Sequence, residues 1–275
     1  MLRISIITVC FNAEEWICDA LESVLGQSYS QLDYYIIDGQ STDRTLDVVY
    51  KKLLSLGVKK TSASEELDHH GLHKLGIFGE KNIYLISEPD NGLYDAMNKG
   101  IGFVSEGIIG MLNSDDVYRS SQTIENVVDH FKKTNCDALY GNLNFFRQNP
   151  ECIIRKWRSS GYKKGAFQTG WHPPHPTFFA DKNVYCKYGV FDTSLKVAAD
   201  FDLMFRLIEI NKIRADFINE TLVLMRYGGK STGSVKNIIQ GQMDIWCSFK
   251  KNGVKFPNLY YLKRLLPKLR EFRAK

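Results

Sequence analysis

Residues 4–10, ISIITVC, form an unbroken apolar, β-branched run. Such a run suits a strand buried on both faces of a parallel sheet. Asn12 follows at a position that can cap a helix, and Trp16/Ala20/Val24 and Ile17/Leu21/Leu25 then recur at i+4. Residues 34–38, YYIID, predict a second strand, GQSTD a turn, and 43–56 a second helix. IYLIS at 83–87 predicts a third strand and LYDAMNKGIGFV a third helix. IIGML at 108–112 is a fourth strand, and Ile124, Val127, Val128 and Phe131 mark a helix leading to a fifth strand, DALYGNL at 137–143. This β-α alternation predicts a parallel sheet with helices on both faces.

The second half is less regular. Residues 144–157 read as antiparallel strands, and HPPHP at 172–176 excludes helix. Residues 200–210 read as a helix, 215–227 as one or two strands, and 227–234, YGGKSTGS, as a loop. In 235–249, Val235, Ile238, Ile239, Met243, Trp246 and Phe249 share one helical face. Residues 257–273 pair leucines with basic residues. Residues 57–82 are polar and unperiodic, which predicts an insertion or mobile loop.

Composition narrows the class. Of 275 residues, 44% are hydrophobic and 24% charged, which excludes disordered and collagen-like chains. No apolar run is long enough to span a membrane, and the first residues lack a cleavage site. Six scattered cysteines without a C-x-x-C pair fit a reducing cytosol. The charge is uneven. From Phe249 onward there are nine Lys/Arg against Glu271 alone, while the body is slightly acidic. That body argues against a nucleic-acid-binding face.

Ligands of open parallel sheets bind at the strands' carboxyl ends. Here the strands run into Thr8–Asn12, Asp38–Asp43, Ser87–Gly92 and Leu112–Asp116. Helix capping accounts for Asn12, Asp43 and Asn91. It does not account for Asp38 or for the adjacent Asp115 and Asp116, whose charges repel unless a cation or donors lie between them. Carboxylates of this kind suit Mg²⁺ or Mn²⁺. No G-x-G-x-x-G follows the first strand, and there is no P-loop, G-x-S-x-G or H-E-x-x-H.

The segments SIITVCFN (5–12), IIDGQSTDRT (36–45), SEPDNGLYDAMNKGI (87–101), MLNSDD (111–116), HPTFF (175–179) and KVAADFDLMFRL (196–207) together resemble inverting family 2 glycosyltransferases. The wording is closest to bacterial enzymes of O-antigen, capsule or exopolysaccharide synthesis. The resemblance implies an α/β GT-A fold: a mainly parallel central sheet flanked by helices, a small antiparallel part and C-terminal helices. It implies a transferase domain at 1–232, with a nucleotide-binding half at 1–117 and an acceptor half at 118–232. A basic helical extension would follow at 233–275.

The same resemblance assigns roles. Thr8 and Asn12 would line the nucleotide pocket, and Asp38 would bond the uracil of a UDP-sugar. Asp90, Gly92, Tyr94 and Asp95 would lie near ribose, diphosphate and sugar, with Asn98 behind. Asn113, Ser114 and Asp115 occupy the family's D-x-D motif, with Asn113 in place of its first carboxylate. Asp115 would ligate Mn²⁺ or Mg²⁺, supported by Asp116 on the donor side. Asp200 matches the catalytic base that takes the proton of the acceptor hydroxyl, with Asp202 ranked second. His175 would position acceptor or donor. Lys230 and Ser231 would fold over the diphosphate, or belong to a plain surface turn. His69, His70 and His73 could bind metal or be a solvated loop.

These readings describe a cytoplasmic transferase taking a nucleotide-sugar and a glycan or lipid-linked acceptor. A non-catalytic nucleotide-sugar-binding scaffold of the same fold is the alternative, favoured by Asn113. A nucleotidyltransferase would need a Gly-rich basic loop after the first strand, and VCFNAEEW is neither. The basic tail reads as a solvated helix face, a nucleic-acid contact, or a contact with the cytoplasmic face of an anionic membrane. A lipid-linked acceptor favours the third.

Overall fold

The computed structural model describes residues 2–60, 73–228 and 235–264. In chain order the strands and helices are β1 (Ile4–Cys10), α1 (Ile17–Leu25), β2 (Leu32–Asp38), α2 (Thr45–Ser55), β3 (Lys59–Lys60), β4 (His73–Phe78), β5 (Lys81–Ser87), α3 (Leu93–Phe103), β6 (Ile108–Met111), β7 (Val117–Tyr118) and α4 (Thr123–Thr134). Then come β8 (Ala138–Phe146), β9 (Ile153–Trp157), β10 (Phe179–Asp181), α5 (Lys182–Tyr188), α6 (Ala199–Met204), β11 (Ala215–Arg226) and α7 (Val235–Lys251). They form two compact units, Met1–Asn135 with Phe179–Asn183, and Cys136–Phe178 with Val184–Lys275.

In the first unit the strand order is β3-β4-β5-β2-β1-β6-β10. β5, β2, β1 and β6 are mutually parallel, in register Ile4↔Leu32, Ile4↔Ile108 and Asp33↔Asn82. β1 and β2 are buried at every position, as their apolar sequences require. The chain leaves β1 toward β2 and β5, then returns to β6 on the other side, so the switch point lies beside β1. α3 packs closely on this sheet. A Cβ at Gly100 would lie 2.5 Å from Cγ2 of Ile7, so only glycine fits without displacement. Lys81 is buried and donates to the carbonyls of Leu25 (2.8 Å) and Gln27 (2.6 Å), tying off the end of α1.

Three expectations need correction here. Residues 73–82 are not loop: β4 pairs antiparallel with both β3 and β5. Asn12 does not cap α1, which starts at Ile17 without a side-chain cap. α4 belongs to the first unit, where Gln27 Oε1 accepts from Ile124 N (3.0 Å) and Ser28 Oγ donates to Glu125 (2.7 Å). The division between units therefore falls after Asn135 rather than after 117.

In the second unit β8 pairs antiparallel with β9 and parallel with β11. α6 continues as a π-helix, Phe205–Ile210, in place of a uniform α-helix over 200–210. Phe201 and Phe205 stack at 5.8 Å, and Phe205 meets Phe249 of α7 at 4.7 Å. Phe249 in turn packs on Tyr260 at 5.5 Å. Residues up to 264 are thus part of this core rather than a separate extension. Among the described residues no helix is long and apolar enough to cross a membrane.

Candidate active site

The polar loops after β1, β2 and β5 are bonded into one rim. Asn12 adopts a positive φ of 50°. Its N–H donates to Ser41 Oγ (2.8 Å), and its Oδ1 accepts from Thr42 N (2.8 Å). Asp43 accepts from Thr45 N (2.9 Å) and Glu14 N (3.2 Å), joining the same two loops.

Asp38 lies under this rim with no exposed surface. Its oxygens accept from Ser41 N (3.0 Å), Ser41 Oγ (2.5 Å), Ser87 Oγ (2.6 Å) and the Cys10 thiol (3.6 Å). Burial, with the charge of Asp38 next, pushes the Cys10 thiol well above its ordinary range, so it stays protonated and inert. Thr8 is also fully buried and accepts from the Tyr34 hydroxyl (3.0 Å).

What faces outward is different. Phe11 is 60% exposed, an unusual position for a phenyl ring. A Cβ at Gly39 would lie 3.5 Å from Cδ2 of Phe11 and 2.3 Å from Oδ2 of Asp90. Phe11 and Asp90 therefore close over the buried backbone of Gly39. Asp90 Oδ1 accepts from Gly92 N (2.7 Å), and Gly92 has a φ of 112°, which selects glycine. Asp95 Oδ2 accepts from Asn91 N (2.9 Å) at the start of α3, while Tyr94 is buried.

After β6, Asn113 Nδ2 donates to Asp116 Oδ2 (3.1 Å), and Asp116 is fully buried. Asn113 Oδ1 is buried with no hydrogen-bond partner. Ser114 and Asp115 are half-buried. Among the described residues no group of three or more His, Cys, Asp or Glu is placed to hold a metal ion. A protein cage is therefore not present there. A half-buried carboxylate at Asp115, two residues after the unsatisfied Asn113 Oδ1, fits a cation that draws its other oxygens from a bound diphosphate and water.

In the second unit, Asp200 is half-buried at the start of α6, and its Oδ1 accepts from Phe201 N (2.8 Å). His175 is buried with its ring 5.4 Å from Phe191. Burial lowers the His175 pKa, and the negative charge of Asp200 pulls against that shift. The two groups are thus electrostatic neighbours. Asp202 points the other way. It is 1% exposed and accepts from Arg206 Nε (2.7 Å), Ser248 Oγ (2.7 Å) and Asn252 Nδ2 (3.1 Å). Asp202 ties α6 to α7 and has no surface for an acceptor.

Of the expected donor residues, Thr8, Asp38, Tyr94 and Asp116 are thus buried. Asn12, Asp90, Gly92, Asp95, Asn113, Ser114 and Asp115 retain exposed surface. Lys230 and Ser231 lie outside the described residues, as do His69 and His70. His73 is exposed in β4. Sequence reasoning placed Phe11, Gly39, Ser41 and Ser87 at the strand ends but gave them no role. An aromatic between a buried strand's end and Asn12 was the available signal for Phe11.

An α/β sheet with polar loops gathered at the carboxyl ends of its parallel strands defines a ligand-binding enzyme fold. Residues 5–192 match the glycosyl transferase family 2 model, and the chain belongs to that family. It is 24% identical over 257 residues to an uncharacterized glycosyltransferase of Rickettsia prowazekii, covering 90% of this chain and 71% of the relative. It is 23% identical over 238 residues to chondroitin synthase of Pasteurella multocida, covering 86% of this chain and 22% of that protein. Two solved structures share the fold. S. aureus TarS 1–349 in complex with UDP-GlcNAc gives a TM-score of 0.62 at 14% identity, over 98% of this chain and 78% of that one. The mannosyltransferase PcManGT of Pyrobaculum calidifontis, in complex with GDP-Man and Mn²⁺, gives 0.63 at 15%, over 97% and 69%. The fold is GT-A-like and the chain is a glycosyltransferase.

Proposed function

We propose that this enzyme transfers a sugar from a UDP-sugar to a hydroxyl of a glycan or lipid-linked saccharide, with inversion, in cell-surface polysaccharide synthesis. The observation that carries the donor half is the outward surface of Phe11 and Asp90 above the buried Asp38 and Gly39. An exposed phenyl face beside a side-chain-free backbone position is a platform for a flat base. Asp90 and the Asn113–Asp115 turn would supply oxygens and amides to ribose and sugar. UDP-GlcNAc and GDP-Man are the donors bound in the TarS and PcManGT structures.

Inversion needs a base for the acceptor hydroxyl as it attacks the anomeric carbon. Asp200 is that base, and neutral His175 beside it would orient the acceptor without competing for its proton. Asp115 would hold Mn²⁺ or Mg²⁺, which when bound supplies positive charge to the departing diphosphate. Lys230 and Ser231 belong to the same proposal as diphosphate contacts. The basic tail would keep the enzyme near a lipid-linked acceptor at the cytoplasmic face of a membrane.

The test is consumption of a panel of UDP-sugars, with UDP release as readout. Wild type is expected to turn over at least one. Asp200→Asn is expected to lose about 10²- to 10⁴-fold in kcat while binding UDP unchanged. Equal turnover by the two proteins would remove Asp200 from the mechanism.

A further inference from the structure

Of the six apolar residues read onto one face of α7, only Phe249 is buried. The inward face is Asp244, Ile245, Ser248 and Phe249. Asp244 Oδ2 accepts from Val197 N (2.6 Å) and Ala198 N (3.1 Å), so the phase of the helix is fixed. The outward face is Val235 (73% exposed), Ile239 (56%), Met243 (56%) and Trp246 (46%), followed by Lys250. These positions fall within about 80° of arc at helical spacing. Lys250 Nζ lies 5.4 Å from the Trp246 ring centroid. A continuous apolar stripe of this kind on a soluble surface marks a contact site.

The charge around the stripe selects the partner. Within residues 235–264 the exposed charges, Lys236, Lys250, Lys251, Lys255 and Lys263, are all positive and the sole acid, Asp244, is buried; of these lysines Lys251 is paired with Asp192 (2.6 Å). A second copy of this face would set like charges against each other. An anionic lipid surface neutralises them and takes up the apolar side chains, with Trp246 and Lys250 at headgroup level.

We infer that the outward face of α7 is a docking surface for an anionic bilayer, holding the second unit against it. The inference does not depend on the transferase reading, and it adds the apolar face of α7 to the basic residues that follow it. The full-length protein should co-sediment with vesicles of phosphatidylcholine and phosphatidylglycerol, and much less with phosphatidylcholine alone. Ile239→Ser/Met243→Ser/Trp246→Ser should weaken that binding about tenfold or more. Lys236→Glu/Lys250→Glu, which leaves the apolar residues in place, should do the same. Trp246→Phe should bind as wild type but lose tryptophan quenching by brominated lipid. Binding that is absent in wild type, or unchanged in both multiple variants, overturns the inference. So does self-association of the wild type that the serine variant abolishes without any vesicle binding.

Discussion

A Cβ on Gly39 would stand 2.3 Å from Oδ2 of Asp90. The bare backbone at 39 is what lets the Asp90 carboxylate lie across the end of β2. Gly39→Ala must push Asp90 aside, because its other oxygen is held by Gly92 N. The expected result is a loss of about tenfold in UDP affinity by calorimetry. The melting temperature should change little, since the displaced group is at the surface.

Neutral His175 is favoured by the fold, because burial lowers its pKa below the unfolded value of about 6.5. The unfolded chain therefore binds more protons as pH falls below that value. The stability this residue contributes is fully present above pH ~6.5 and is lost on acidification through the folded pKa. Melting curves from pH ~8 to ~5.5 should fall more steeply for wild type than for His175→Gln. Parallel curves would show that His175 does not titrate on unfolding.

Asp202 is a structural carboxylate, against its expected place near the acceptor. Asp202→Ala removes the charge partner of Arg206, which keeps only the carbonyls of Tyr188 and Val190, and the acceptor of Ser248 Oγ. Breaking a buried pair on one side costs about 3–5 kcal/mol, which lowers the melting temperature by roughly 10 °C at this size. An unchanged melting temperature with lost activity would return Asp202 to the acceptor site.

Asn113 donates to the buried carboxylate of Asp116. Asn113→Asp replaces that donor with a second negative charge about 3 Å away, which is repulsive without a cation. The variant should melt lower than wild type in chelator and recover with added Mn²⁺. A variant equally stable in chelator would mean that the turn tolerates both charges unaided.

Much of this fold is legible because β1, β2, β5 and β6 are buried parallel strands, whose residues are apolar at nearly every position. The β3–β4 hairpin is not. HKLGIF lies next to the two-residue edge strand β3, has one buried position, and breaks register between Lys74 and Gly76. The rim was legible as a set of loops, because acids and amides gather at the ends of four successive strands. Which of them face outward was not. Asp38 is held inward by Ser41 and Ser87, and Asp116 by Asn113 while its neighbour Asp115 keeps exposed surface; those bonds lie far along the chain or across the turn. α7 shows the same limit, since its periodicity was plain but the face chosen for burial follows from Asp244 on Val197.

The most direct test of the donor site is differential scanning fluorimetry of the whole chain with UDP, GDP and CDP, each with and without Mn²⁺. A ligand that binds only the folded state raises the melting temperature by mass action. A rise with UDP that grows with Mn²⁺ and shrinks in Gly39→Ala and Asp115→Asn is the predicted result. No rise with any of the three nucleotides would contradict the account at its centre.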